Sequence, residues 1–101
     1  MRLTNEQRQI IHDTALEAFG PGASVRLFGS RVDERARGGD IDLLVTAPMQ
    51  NPAEVVRAEM RFQALLQQRL GEQKIDVLVD YPGRRERPPI FNVAERTGIP
   101  L

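Results

Sequence analysis

Three aspartates in two strand-like segments are the residues best suited to chemistry. Asp40 and Asp42 open the run DIDLLVT, and Asp76 lies in the later run KIDVLVD. Because side chains two residues apart in a strand point to the same side of a sheet, Asp40 and Asp42 are expected to project together. If the two strands are neighbours in register, Asp76 joins them. The sequence therefore predicts a cluster of three carboxylates.

Without a cation, like charges a few ångströms apart drive protonation of one carboxylate, and the simple way to keep all three ionised is a divalent ion. The chain has no cysteine, which excludes disulfides and thiolate ligands. Ligation by oxygen alone suits Mg²⁺ or Mn²⁺. Two ions bridged by shared carboxylates, about 3.5–4 Å apart, would clamp the attacking and leaving oxygens of a phosphoryl displacement. The single histidine, His12, has polar neighbours and is interpreted as a surface residue rather than a ligand.

A Gly-Ser turn, made of Gly29 and Ser30, could hold phosphate. Gly29 allows close approach of the backbone to a ligand, Ser30 adds a hydroxyl and an amide, and Arg31 adds a positive charge. The turn directly follows a strand-like run, 24–28, which favours presenting amides to an anion. A lone Asp-x-Asp is more often a solvated strand edge, and a lone Gly-Ser is a weaker signal still. Their combination indicates a site.

The elements that must position these residues follow from periodicity and capping signals. The predicted order is helix 4–19, strand 24–28, strand 40–46, helix 51–70, strand 74–81 and a short helix 90–96. Helices that alternate with strands in this way predict one α/β domain over residues 1–101, with the helices packed on a sheet.

Composition narrows the classes of partner. The 14 Lys and Arg balance the 14 Asp and Glu, which argues against a protein that mainly coats nucleic acid. The basic run Arg84, Arg85 and Arg87 is interpreted as a solvated turn, with contacts to nucleotide, RNA or an acidic partner left open.

No apolar run approaches the roughly 20 residues that span a bilayer, and no signal-peptide segment is present. We therefore expect a cytoplasmic protein without membrane association.

The string FGSRVDERARGGDIDLLV, followed by KIDVLV, resembles the nucleotidyltransferase superfamily that includes DNA polymerase β. It is most similar to the stand-alone minimal nucleotidyltransferase (MNT) domains of bacteria and archaea. The resemblance covers essentially the whole chain. It implies a small mixed β-sheet flanked by helices, the polymerase β-like fold.

The resemblance also implies a role for each motif residue. The Gly-Ser turn would hold the triphosphate of an incoming nucleotide, and Arg31 would touch phosphate. Asp40 and Asp42 would bridge two magnesium ions, while Asp76 would complete the shell of one ion and help to deprotonate the attacking hydroxyl. The reaction would move a nucleoside monophosphate to that hydroxyl and release pyrophosphate.

Partners are implied by the same resemblance. Minimal nucleotidyltransferases are often encoded beside a HEPN-domain protein in what resembles a toxin–antitoxin pair, in which the antitoxin attaches AMP to a tyrosine of the HEPN ribonuclease. ATP is then the expected donor and a protein hydroxyl the expected acceptor. The alternative is a non-catalytic antitoxin that neutralises its partner by covering it. A third hypothesis is transfer to a small molecule or to RNA. It requires an acceptor pocket, which so short a chain would form only as an oligomer.

Overall fold

The computed structural model describes residues 1–35 and 39–101, in which three α-helices surround a four-stranded sheet. The elements are α1 (Asn5–Phe19), β1 (Ser24–Phe28), a 3₁₀ turn (Gly29–Val32), β2 (Ile41–Thr46), α2 (Pro52–Leu70), β3 (Ile75–Asp80), α3 (Pro89–Thr97) and β4 (Ile99–Pro100). The predicted α/β class and mixed sheet are confirmed. Each predicted boundary falls within one residue of the observed one, and only the two-residue β4 was not predicted.

Side-chain caps fix where the two long helices begin. The Thr4 hydroxyl accepts from the amide of Gln7 at 3.0 Å, and the Gln7 side chain accepts from the amide of Thr4 at 2.9 Å, which is the predicted capping box. At α2, Asn51 accepts from the amide of Ala53 at 2.8 Å, with Pro52 in the first turn. None of the helices in the described parts of the chain is long and apolar enough to cross a bilayer.

The sheet has the strand order β3-β2-β1-β4, with β2 and β3 parallel and the other pairs antiparallel. Asp42 on β2 aligns with Asp76 on β3 and with Phe28 on β1. Neighbours in register share a face of the sheet. The row formed by Asp76, Asp42 and Phe28 therefore crosses one face, from the edge strand β3 to β1.

Apolar side chains cover the two faces of the sheet unequally. Helices α1 and α2 pack on the face opposite the acids, where Phe19 and Phe62 meet edge to face at 5.4 Å between ring centroids. Helix α3 covers the middle of the acidic face. The small core beneath α3 comprises Phe28, Leu44, Phe91, Ala94 and the partly buried Leu78.

The basic segment before α3 ties that helix to β3. The Arg84 guanidinium lies 4.5 Å from the centre of the Phe91 ring. Arg87 pairs with Asp80 at 3.2 Å and with Glu95 at 2.7 Å. The sequence favoured a solvated turn here. Arg84 and Arg87 instead anchor α3, because Asp80 at the end of β3 and the aromatic ring on α3 both face them.

Candidate active site

Asp42 and Asp76 lie side by side on the uncovered end of the sheet. Asp42 is half-buried, Asp76 is exposed, and the two residues are directly aligned on the paired strands β2 and β3. Partial burial raises the pKa of Asp42, and the negative charges of Asp76 and Asp40 raise it further. The parallel pairing of β2 and β3 therefore brings together carboxylates from distant parts of the sequence.

Asp40 immediately precedes β2 and pairs with Lys74, whose Nζ lies 3.3 Å from Asp40 Oδ2. The hydrogen bond and charge of Asp40, together with the charge of Asp76, raise the pKa of Lys74. Lys74 is an additional residue of the site, beyond those predicted from the sequence. Its position two residues before Asp76 was the available signal, because that spacing points both side chains to one face of a strand.

Asp42 and Asp76 form an adjacent pair, whereas Asp40 forms an ion pair with Lys74. Within 1–35 and 39–101, no three acidic, histidine or cysteine side chains are placed so that they could together hold a metal ion. The donor chemistry nonetheless fits a divalent cation, because Asp42 and Asp76 are aligned neighbours that offer only oxygen ligands, and a cation there would offset the repulsion between them. His12 lies apart from the acids, with Nδ1 3.1 Å from the Leu101 carbonyl oxygen. Ligation by Asp40, Asp42 and Asp76 together stays a prediction.

Gly29 presses directly against Asp42. Its φ is +75°, and a Cβ at this position would lie 2.2 Å from Asp42 Oδ2. Any other residue would meet both a strained backbone and a clash with the carboxylate. A glycine is therefore required at position 29 for the turn to lie against Asp42, independently of any contact with phosphate.

The rest of the turn is held by neighbouring backbone. A Cβ on Gly39 would lie 2.2 Å from the Ser30 hydroxyl, so Gly39 packs closely on that side chain. The Arg31 guanidinium donates to the carbonyl of Gly39 at 3.3 Å and to that of Arg2 at 3.0 Å. The structure thus places Arg31 between two chain segments. Contacts of Gly29, Ser30 and Arg31 with phosphate stay predictions.

A depression of about 440 Å³ opens beside Asp42, between the 3₁₀ turn and α3. Val32 from the turn and Ile90 and Val93 from α3 contribute apolar side chains to it. Ile90 is 46% exposed and Val93 is 41% exposed, although both are large and apolar. Exposed apolar surface next to convergent polar groups is typical of ligand sites.

Replacing Gly29 with alanine should destabilise the protein more than the same change at Gly83. Both glycines have positive φ, +75° and +86°, but Gly83 has open space where a Cβ would be. We expect Gly83→Ala to lower the free energy of unfolding by about 1–2 kcal/mol through backbone strain alone. Gly29→Ala should lower it by a further ~1–3 kcal/mol, because Asp42 must move. In an Asp42→Ala background, urea unfolding should show the excess largely gone; an unchanged excess contradicts the contact.

Removing the charge of Asp42 should stabilise the protein in the absence of divalent cations. A carboxyl whose folded-state pKa is raised contributes stability below its unfolded pKa and loses it as pH rises through the folded pKa. Asp42→Asn should therefore raise the free energy of unfolding at neutral pH by up to about 1 kcal/mol, discounted for solvent screening. The gain should shrink as pH falls through the carboxylate range. Urea titrations at several pH values, with Asp13→Asn as a control on α1, measure this; a gain independent of pH contradicts it.

Comparison with known proteins agrees with this geometry. The sequence matches the family model described as a nucleotidyltransferase domain over residues 10–97, which includes the Gly-Ser turn and all three aspartates. A separate comparison with curated proteins gave no match. The match assigns nucleotidyl transfer as the general class of reaction. The chain therefore belongs to the nucleotidyltransferase domain family, within the DNA polymerase β-like superfamily.

Proposed function

We propose that this chain transfers AMP from ATP to a hydroxyl group of a partner protein in a magnesium-dependent reaction. One observation carries the proposal: Gly29 of the Gly-Ser turn touches Asp42, and Asp42 lies in register with Asp76. A turn suited to phosphate and a pair of carboxylates suited to a cation thus meet at a single point. Phosphoryl transfer requires both at the same place.

The residues divide the reaction among them. Asp42 and Asp76 would hold Mg²⁺, with Asp40 as the third ligand once it leaves Lys74. The bound cation supplies charge neutralisation for the phosphates and polarises the oxygen under attack. The Gly-Ser turn would hold the triphosphate. Asp76, the more exposed of the aligned pair, would accept the proton of the attacking hydroxyl.

The depression beside Asp42 would hold the nucleoside of the donor. It shares Gly29 and Asp42 with the catalytic pair, so a nucleoside placed there is connected to phosphates at the turn. The exposed Ile90 and Val93 offer apolar contact to the face of a base. Burial of that surface gains free energy at about 25 cal/mol per Å².

A protein acceptor fits the open side of the site. β3 is one of the two edge strands in the order β3-β2-β1-β4, and Asp76 on it is exposed, so a macromolecular hydroxyl can approach from that edge. The similarity to minimal nucleotidyltransferases supports a tyrosine of a HEPN-domain toxin as acceptor and an antitoxin role for this chain. The alternative is an antitoxin that neutralises its partner by complex formation without catalysis. The ion pair between Lys74 and Asp40 favours it, because Asp40 is then engaged by a lysine instead of a metal ion.

Transfer to a partner protein can be tested directly. With Mg²⁺, ATP labelled in its α-phosphate and the product of the adjacent gene, we expect label on a tyrosine of that product. Asp42→Asn and Asp76→Asn should each lower the rate at least about a hundredfold, because a lost metal ligand removes roughly 3 kcal/mol or more of transition-state stabilisation. Asp13→Asn on α1 is the matched control and should retain the wild-type rate.

The same experiment separates the two candidate functions. Retained transfer in Asp42→Asn contradicts the catalytic proposal. Full neutralisation of the partner by Asp42→Asn, without transfer, supports the non-catalytic antitoxin. Dependence of neutralisation on both ATP and Asp42 supports the enzyme.

The nucleoside site has its own test. Val93→Asp places a negative charge in the depression, so we expect the dissociation constant for ATP with Mg²⁺ to rise about tenfold or more, which corresponds to roughly 1.4 kcal/mol. Val56→Asp is the matched control, because Val56 is also an exposed helical valine, at 54%, but lies on α2. Isothermal titration calorimetry measures both. Equal effects of the two substitutions would place the nucleoside elsewhere.

A further inference from the structure

We propose that Arg2 and Arg31 form a clasp that holds the Gly-Ser turn in its binding shape, which makes Arg2 a positioning residue for nucleotidyl transfer. The inference rests on the proposed function, in which the Gly-Ser turn holds the triphosphate of ATP. It concerns a residue far from the sequence motif. The contacts that carry it join the N-terminal segment, the 3₁₀ turn and the segment that leads to the acids.

The Arg2 guanidinium bridges two carbonyl groups of the turn region. Its Nε donates to the Asp33 carbonyl at 2.9 Å, and its Nη2 donates to the Ser30 carbonyl at 3.1 Å. The Ser30 carbonyl also accepts from the Asp33 amide at 3.1 Å, which is the bond that closes the turn. The rigid fork of an arginine suits two fixed acceptors better than the single ammonium of a lysine.

Backbone groups complete the contact in both directions. The Arg2 amide donates to the Arg31 carbonyl at 2.7 Å, and the Arg31 Nη1 donates to the Arg2 carbonyl at 3.0 Å. Each arginine thus bonds to the other's main chain. Changing the Arg2 side chain alone leaves these two bonds in place, so the N-terminal segment stays docked while the bridge between the turn carbonyls is lost.

The second arginine carries the connection toward the acids. Arg31 Nε donates to the Gly39 carbonyl at 3.3 Å, and Gly39 packs on the Ser30 hydroxyl and directly precedes Asp40. The turn and the start of the acidic strand are therefore held against each other. A four-residue 3₁₀ turn has few internal hydrogen bonds, and their geometry is poorer than in an α-helix, so contacts from outside the turn add to its rigidity. A displacement of about 1 Å at such a site can reduce the rate a hundredfold.

Arg2→Gln tests the clasp, with Arg8→Gln as its matched control. Arg8 lies on α1, and its Nη2 also donates to a backbone carbonyl, that of Pro100, at 2.8 Å. We expect Arg2→Gln to lower kcat/KM for ATP by tenfold to a hundredfold, while Arg8→Gln stays within about twofold of wild type. Arg2→Lys should fall between wild type and Arg2→Gln, because one ammonium satisfies one carbonyl well. Thermal unfolding midpoints of the two glutamine variants should shift by similar small amounts.

Amide hydrogen exchange provides a readout that does not require turnover. The Asp33 amide should exchange faster in Arg2→Gln than in wild type or Arg8→Gln, because its acceptor carbonyl is no longer fixed. Unchanged exchange overturns the clasp. Exchange that changes while kcat/KM for ATP stays at the wild-type value overturns the positioning role. A wild-type protein that neither binds nor transfers nucleotide, yet shows the expected exchange, contradicts the proposed function and leaves the clasp standing as a structural feature.

Discussion

The repulsion between the carboxylates of Asp42 and Asp76 is the constraint that the rest of the sheet must withstand. The aligned register of β2 and β3 enforces it, and the same register turns apolar side chains such as Ile41, Leu43 and Val79 into the core on the other face. A slip of one residue would separate the acids but would expose that apolar set. Burial of each such side chain is worth about 1.5–3 kcal/mol, against roughly 1 kcal/mol for a partly solvated pair of charges. The hydrophobic effect therefore holds the acids together.

Helix α3 shows how the acidic face is closed only in part. Phe91 and Leu44 bury the middle of that face, and Arg84 and Arg87 secure the helix from the side of β3. Stability alone does not account for Val93, which remains exposed at the border of the acids although a polar residue there would be better solvated. An apolar side chain left at that position is consistent with contact to a ligand rather than with packing.

Local signals in the sequence were sufficient for the three helices and for strands β1, β2 and β3, and for the placement of the two aligned aspartates. The capping pairs at Thr4 and Asn51 set the starts of the two long helices, and strand alternation placed Asp42 and Asp76 on one face. The two-residue β4 has no alternation to detect. The contacts of Arg2 were also not predictable, because they join segments far apart in sequence through a single side chain and leave no periodic pattern. For Lys74 the two-residue spacing from Asp76 was a usable signal, and the ion pair with Asp40 follows from the parallel pairing of β2 and β3.

Gly29 links the folding problem to the chemistry. Its missing side chain lets the turn lie against Asp42, and its positive φ directs the chain from β1 into that turn. A glycine also makes the turn more flexible, because it adds backbone freedom at the position where the phosphate-binding groups must be held in place. The stiffness has to come from outside the motif. The hydrogen bond from Arg2 to the Ser30 carbonyl and the packing of Gly39 on the Ser30 hydroxyl supply that stiffness from both sides. Gly29 thus allows the turn to approach Asp42, whereas Arg2 and Gly39, which lie elsewhere in the sequence, make the turn rigid.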